Sequence, residues 1–248
     1  MFFKKALKKI LLVLGYEVSR KSLLSPVSEP PNKYDDELNY WIGRYNAEGH
    51  IFENRHYQKI MLGMAQEQND IFLKDKVVVD FGCGPRGSLV WTKVPKLRIG
   101  VDVLIDKYFD CFDHEMVNDD YIYVKSTEKR IPIPTEFVDV IYTMNSMDHT
   151  DNFEIMLHEL LRILKIGGEF IGSFNMNEPA TPCEPQTLTF ELMEKTLFPK
   201  LHIEHRLVAF NGNYLQPQIG TYDLFFDSGH EKPSEKDKCI LWVRGKKI

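Results

Sequence analysis

The chain has 248 residues, a net charge of −5 and a pI near 5.9, with 43% hydrophobic and 12% aromatic residues. These figures suit one core domain with appendages, and the acidic balance argues against a general polyanion-binding surface, so no nucleic-acid partner is expected. The four cysteines, Cys83, Cys111, Cys183 and Cys239, are dispersed without C-x-x-C spacing and no 18-residue apolar run occurs, which argues against a zinc site, a disulfide framework and a membrane span, and fits a reducing cytoplasm.

Residues 1–24 open with a basic amphipathic helix. Phe3, Leu7, Ile10, Leu11 and Leu14 share one face, and Lys4, Lys5, Lys8 and Lys9 cluster mainly on the other. Such a helix suits peripheral contact of residues 1–16 with an anionic membrane, here its inner face. The alternative is a helix docked on its own domain or on a twin subunit in a homodimer. It lacks a small-residue cleavage site, which argues against a signal peptide. Residues 25–34 form a proline-rich linker, and a single domain is expected over 35–248.

Within that domain, residues 35–75 read as a helical cap of one or two helices, with Trp41, Ile42, Tyr45, Phe52, Tyr57, Ile60, Met61 and Met64 as its apolar and aromatic surface. Tyr45, His56 and Tyr57 are expected to line the cofactor or substrate space, or else to pack as ordinary cap residues. His50 and His56 lack the i, i+4 spacing of a helical metal pair, so no metal is expected.

Residues 76–174 carry the main signals. Val77-Val78-Val79 reads as a buried strand ending in Asp80. Gly82, Gly84 and Gly87 follow in a loop whose backbone can approach a ligand closely. Taken literally, G-x-G-x-x-G also marks dinucleotide sites, where a helix N-terminus binds a pyrophosphate. Asp80 is a poor neighbour for a pyrophosphate and suits a ligand with a cationic amino-acid end. Leu97 to Val103 reads as a second strand. Its Asp102 lies about 20 residues past the loop, the spacing at which a carboxylate meets a ribose diol, with a plain strand end as the alternative.

Prolines at 132 and 134 force an extended loop before a strand from Phe137 to Tyr142. After Met144 to Asn152, the residues Phe153, Met156, Leu157, Leu160, Leu161 and Leu164 form a helical stripe. Lys165-Ile166-Gly167-Gly168 reads as the glycine stop of that helix, and Glu169 to Phe174 as the next strand. In 175–248, the polar loop Asn175–Thr187 belongs at the ligand end of the sheet, where Glu184 and Gln186 offer hydrogen bonds to substrate hydroxyls. A helix from Thr189 to Leu197 precedes strands Leu201–Phe210 and Cys239–Gly245, expected as an antiparallel hairpin at the sheet edge.

The segment D-F-G-C-G-P from Asp80 to Pro85 resembles motif I of the class I S-adenosyl-L-methionine (SAM)-dependent methyltransferases. Ser126 to Ile141 resembles their G-D-A-E-x-L-P-F-x-x-x-x-F-D-V-V stretch, and R-I-L-K-I-G-G, ending at Gly168, resembles R-V-L-K-P-G-G. With the acidic second strand, four motifs stand in family order, of the methyltransferase type 11 kind. The resemblance implies an α/β, Rossmann-like fold: a seven-stranded, mostly parallel sheet with an antiparallel C-terminal strand, helices on both faces and an N-terminal helical extension. It implies SAM as cofactor, with Asp80, Gly82, Cys83 and Gly84 around its methionyl part and Asp102 and Val103 at its ribose. Ser126, Thr127 and Glu128 fall near its adenine, where Ser126 replaces the family's Asp, and Asn145 completes the set.

The expected activity is methyl transfer (EC 2.1.1.-) to a small polar acceptor, most naturally a hydroxyl of a sugar or surface glycan. The basic leader and the loop C-E-P-Q-T-L-T resemble those of surface-glycan and O-antigen enzymes, which points to polysaccharide biosynthesis. His149 is the expected base, with Asp148 behind it; the alternative is a His149 that contacts the cofactor or caps the helix. Competing readings are another small-molecule or lipid-headgroup acceptor, a non-catalytic SAM-fold binding protein and a NAD-dependent oxidoreductase.

Overall fold

The computed structural model describes residues 32–116, 120–210, 234 and 236–248. The basic helix expected within 1–24 and the prolines of the linker lie outside these residues. The first helix, α1 (Lys33–Ala47), starts just inside the expected linker, because the Asn32 side chain accepts hydrogen bonds from the N–H groups of Tyr34 and Asp35 and caps it. Asp35 and Asp36 in its first turn complement the helix dipole. A second helix, α2 (His56–Ala65), follows, so the upper of the two expected counts is found.

Seven strands follow: β1 (Val77–Phe81), β2 (Leu97–Asp102), β3 (Tyr121–Lys125), β4 (Val138–Met144), β5 (Leu164–Met176), β6 (Leu201–Phe210) and β7 (Cys239–Lys247). Their order across the sheet is β3-β2-β1-β4-β5-β7-β6. The pairs from β3 to β5 are parallel, and β7 runs antiparallel to both β5 and β6. β6 and β7 pair as the expected antiparallel hairpin, with β7 beside β5 and β6 at the sheet edge opposite β3.

Among the described residues, α3 (Ile105–Met116), α4 (Phe153–Ile163) and α5 (Phe190–Thr196) lie between the strands. The apolar run of β1 is buried on both faces, as a central parallel strand requires. Val77, Val79 and Phe81 pack in a cluster with Met156, Leu160 and Ile163 of α4. Val78 packs on the opposite side with Met61 and Met64 of α2. A third cluster joins α1 to α3 through Tyr45, Phe52, Tyr108 and Phe112.

Two expectations are corrected. α3 and β3 are absent from the sequence reading, although Ile105, Tyr108, Phe112 and Met116 are buried at helical spacing. The Gly167-Gly168 pair does not end α4. The helix stops at Ile163, and the glycines sit in a bulge of β5: Val138 pairs with Leu164 and Val140 already with Glu169, while Gly167 takes φ of 73°.

Candidate active site

A cavity of about 630 Å³ opens at the carboxyl ends of β1, β2 and β4, beneath α1. That is the end of an open α/β sheet where the strand order reverses and ligands bind, and the volume is that of a small-molecule site. Its floor is the glycine loop. Gly82, Gly84 and Gly87 all have positive φ, at 73°, 62° and 83°. A Cβ on Gly82 would collide with the Ser146 side chain, and one on Gly84 would come within 2.7 Å of the Trp41 indole.

Asp80 lies under this loop rather than on the cavity wall. It is 2% exposed, and its Oδ2 accepts hydrogen bonds from the Ser88 N–H at 2.7 Å and the Tyr121 hydroxyl at 2.9 Å. Burial pushes its pKa up to about 6, against the opposing hydrogen bonds. Its carboxylate shapes the loop.

Asp102, at the tip of β2, does line the cavity with Val103. Its Oδ2 accepts from the Gly84 N–H at 3.1 Å and its Oδ1 from the Leu104 N–H at 2.9 Å. Burial raises its pKa to about 6 as well. A carboxylate oxygen accepts more than one hydrogen bond, so both atoms retain capacity for a diol.

Ser126, Thr127 and Glu128 form the wall beside it. The Ser126 N–H bonds to the Asp102 carbonyl at 3.0 Å. Glu128 is the socket for α1: its Oε1 accepts from Lys33 Nζ at 2.6 Å and the Tyr34 hydroxyl at 2.7 Å, and its Oε2 from the Asp151 N–H at 2.9 Å. Lys33 also reaches the Asp151 carboxylate at 2.6 Å and the His149 carbonyl at 2.9 Å. Asn145, at φ of 47°, is fixed by Ser173, whose hydroxyl donates to its Oδ1 at 2.9 Å.

At the mouth, His149 stands between two carboxylates. Its Nδ1 is 3.3 Å from Glu37 Oε2 and its Nε2 is 3.6 Å from Glu184 Oε1. Burial disfavours the imidazolium, but Glu37, Asp148 and Glu184 outweigh it and hold the His149 pKa above the usual range. Asp148 is 4% exposed, and its Oδ1 has no hydrogen-bond partner. Burial raises the Asp148 pKa, with His149 opposing.

The structure therefore gathers His149, Gly82, Cys83, Gly84, Asp102, Val103, Ser126, Thr127, Glu128, Asn145, Tyr57 and Glu184 around one cavity. Others of the expected residues stand apart. The Tyr45 hydroxyl pairs with His114 Nε2 at 2.6 Å, and His56 Nδ1 lies 2.9 Å from the Glu53 carbonyl. Gln186 ties the two mouth loops together, its N–H donating to the Asp148 carbonyl and its Nε2 to the Asp151 carbonyl. Sequence reasoning missed Lys33, Glu37 and Tyr108 on the wall. The Glu37–Trp41 spacing of one helical turn, now a 2.9 Å hydrogen bond from the indole N–H, was the one local signal for Glu37.

Comparison with known proteins identifies this architecture. Residues 79–172 match the family model of a methyltransferase domain. No curated protein matches the chain. Among solved structures, a chain of the Haloferax volcanii complex between the Trm112 methyltransferase activator and a methyltransferase is similar at 18% identity and a TM-score of 0.60, over 85% of this chain and 97% of that one. A Thermotoga maritima SAM-dependent methyltransferase, described as a candidate histamine N-methyltransferase, is similar at 15% identity and a TM-score of 0.53, over 87% and 99%. The [4+2]-cyclase SpnF is similar at 13% identity and a TM-score of 0.56, over 88% and 96%, so the fold alone does not define a reaction.

The methyltransferase-domain match over residues 79–172 and the fold shared with SAM-dependent methyltransferases together imply SAM as the cofactor. The cavity fits that group. The glycine loop leaves room for a ligand against its backbone, and Asp102 puts on the cavity wall a carboxylate of the kind that accepts from a diol. No phosphate need approach the buried Asp80.

Proposed function

We propose that this chain is an enzyme that moves a methyl group from SAM to a hydroxyl of a small polar acceptor, most naturally a sugar or surface glycan. The observation that carries this reading is His149, set between Glu37 and Glu184 on the wall of the cavity that contains the glycine loop and Asp102. Bound SAM supplies an electrophilic methyl on a cationic sulfur.

The chain's own residues do the rest. The glycine loop and Asp102 fix the donor, and α1 covers it. An attacking hydroxyl must lie about 3–3.5 Å from the methyl and lose its proton. In this reading His149 takes that proton, with Asp148 behind it. Asp36, Glu37 and Glu184 around the mouth repel anionic acceptors and accept hydrogen bonds from hydroxyls, which favours a neutral polyol.

Another small molecule or a lipid headgroup is the next acceptor class, and a protein that binds SAM without turnover is the reading from a different class. Among the described residues no helix is long and apolar enough to cross a membrane. A cytoplasmic protein touching the inner membrane face through residues 1–16 fits this proposal. Labelled-methyl transfer onto sugar nucleotides, lipid-linked glycans and phospholipids tests it. Label on a sugar hydroxyl supports the reading; label only on a lipid headgroup replaces its acceptor.

A further inference from the structure

We propose that Asp148, His149 and Glu184 bind one divalent cation at the mouth of the cavity, and that this ion holds and acidifies the acceptor hydroxyl. The inference rests on the methyltransferase reading for the acceptor, but the ion site itself stands on geometry.

One ligand atom from each of the three residues lies within 4.8 Å of the others. The His149 Nε2 to Glu184 Oε1 separation of 3.6 Å is too long for a hydrogen bond. It is the spacing of two atoms on a shared tetrahedral ion, since metal–N and metal–O bonds of about 2.0–2.2 Å put neighbouring ligands roughly 3.3–3.6 Å apart.

Asp148 gives the independent sign. Its side chain is 4% exposed and its Oδ1 has no hydrogen-bond partner. A buried carboxylate oxygen without a donor is costly, and a cation satisfies it.

Glu37 supplies the outer support. It faces His149 Nδ1 at 3.3 Å while Nε2 faces Glu184. A histidine that ligates through one nitrogen and donates from the other to a carboxylate is the recurrent arrangement of metal-bound imidazoles. Lys33, the cation on the same wall, is committed to Glu128, Asp151 and the His149 carbonyl. One imidazole and two carboxylates leave open positions for an acceptor and water, and suit Mn²⁺ or Zn²⁺.

With the ion in place, His149 is a ligand and the cation takes over the acidification of the hydroxyl. The O–H bond breaks and its proton passes to water at the open mouth. The new C–O bond forms as the methyl–sulfur bond breaks, and that electron pair stays on sulfur.

The test is titration of the full chain with MnCl₂ and with ZnCl₂, followed by calorimetry and, for Mn²⁺, by the loss of the free-ion EPR signal. The expected result is one equivalent bound, weakened at least about tenfold in Glu184→Gln and in Asp148→Asn. Melting curves serve as the folding control: the ion should raise the Tm of the native chain and not that of Glu184→Gln. Failure of both ions to bind stoichiometrically, or unchanged binding in Glu184→Gln, overturns the site. SAM titration of the same samples separates the two claims. Methyl transfer that persists in EDTA removes the ion and keeps the methyltransferase, whereas ion binding without SAM binding does the reverse.

Discussion

The Trp41 indole lies directly over Gly84, so close that a Cβ there would sit 2.7 Å from the ring. One contact thus joins the helical cover to the cofactor loop. Gly84 also needs φ of 62°, a region that costs an L-residue about 1–3 kcal/mol when enforced. Gly84→Ala should therefore weaken SAM binding roughly tenfold or more and shift the tryptophan fluorescence. Adding Trp41→Ala should recover the steric part and leave the backbone strain. Calorimetry on the single and double variants checks both statements.

Asp102 predicts a pH dependence. Its folded pKa is about 6 because burial disfavours its charge. Ribose hydroxyls donate to the ionised form, so SAM affinity should rise from pH 5 to about pH 7 and then level off. In Asp102→Asn the affinity should be weak and flat. A wild-type affinity that falls with pH over this window contradicts the role.

Asp80 predicts a stability effect of definite sign. Its folded pKa, also raised to about 6, exceeds that of an unfolded aspartate. The contribution of this group is then fully present below about pH 4 and is lost as pH rises through about 6, by an order of 3 kcal/mol. The stability of Asp80→Asn relative to the native chain should climb across that interval in denaturant titrations. A constant difference rejects the raised pKa.

Lys33 and Glu128 fasten α1 to the cofactor wall through bonds of 2.6–2.9 Å, with Tyr34 and the Asp151 N–H sharing the same carboxylate. Glu128→Gln should cost about 1.5–3 kcal/mol, as expected for hydrogen bonds to a charged group. It should lower the Tm by several degrees and expose α1 to proteolysis. Bound SAM should partly restore protection.

His149→Ala should reduce turnover by about a hundredfold or more while changing SAM affinity by less than about threefold. This split holds whether His149 takes the proton or holds an ion, and single-turnover kinetics measure it. A large loss of SAM affinity would make His149 a cofactor contact instead.

The cofactor half of this site was legible in the sequence because its signals are local. A β-branched run into Asp80, glycines at fixed spacing and Asp102 at the next strand tip are all short-range patterns. At the mouth, His149, Asp148 and Glu184 were legible but Lys33 and Glu37 were not, because their partners lie far along the chain: Lys33 meets Glu128 across 95 residues and Asp151 across 118, and Glu37 meets His149. Asp80 shows a third case. The loop motif marks its residue type, but its carboxylate faces the loop rather than the cavity because the Ser88 N–H and, from β3, the Tyr121 hydroxyl donate to it. The Gly167-Gly168 pair is equally a helix stop or a bulge by composition, and the partner register of β4 decides it.

The most direct test of the central claim is calorimetric titration of the full chain with SAM and with NAD, beside Asp102→Asn. One equivalent of SAM should bind, NAD should not, and the variant should bind SAM at least about tenfold more weakly. NAD binding without SAM binding, or SAM binding indifferent to Asp102→Asn, would contradict the claim.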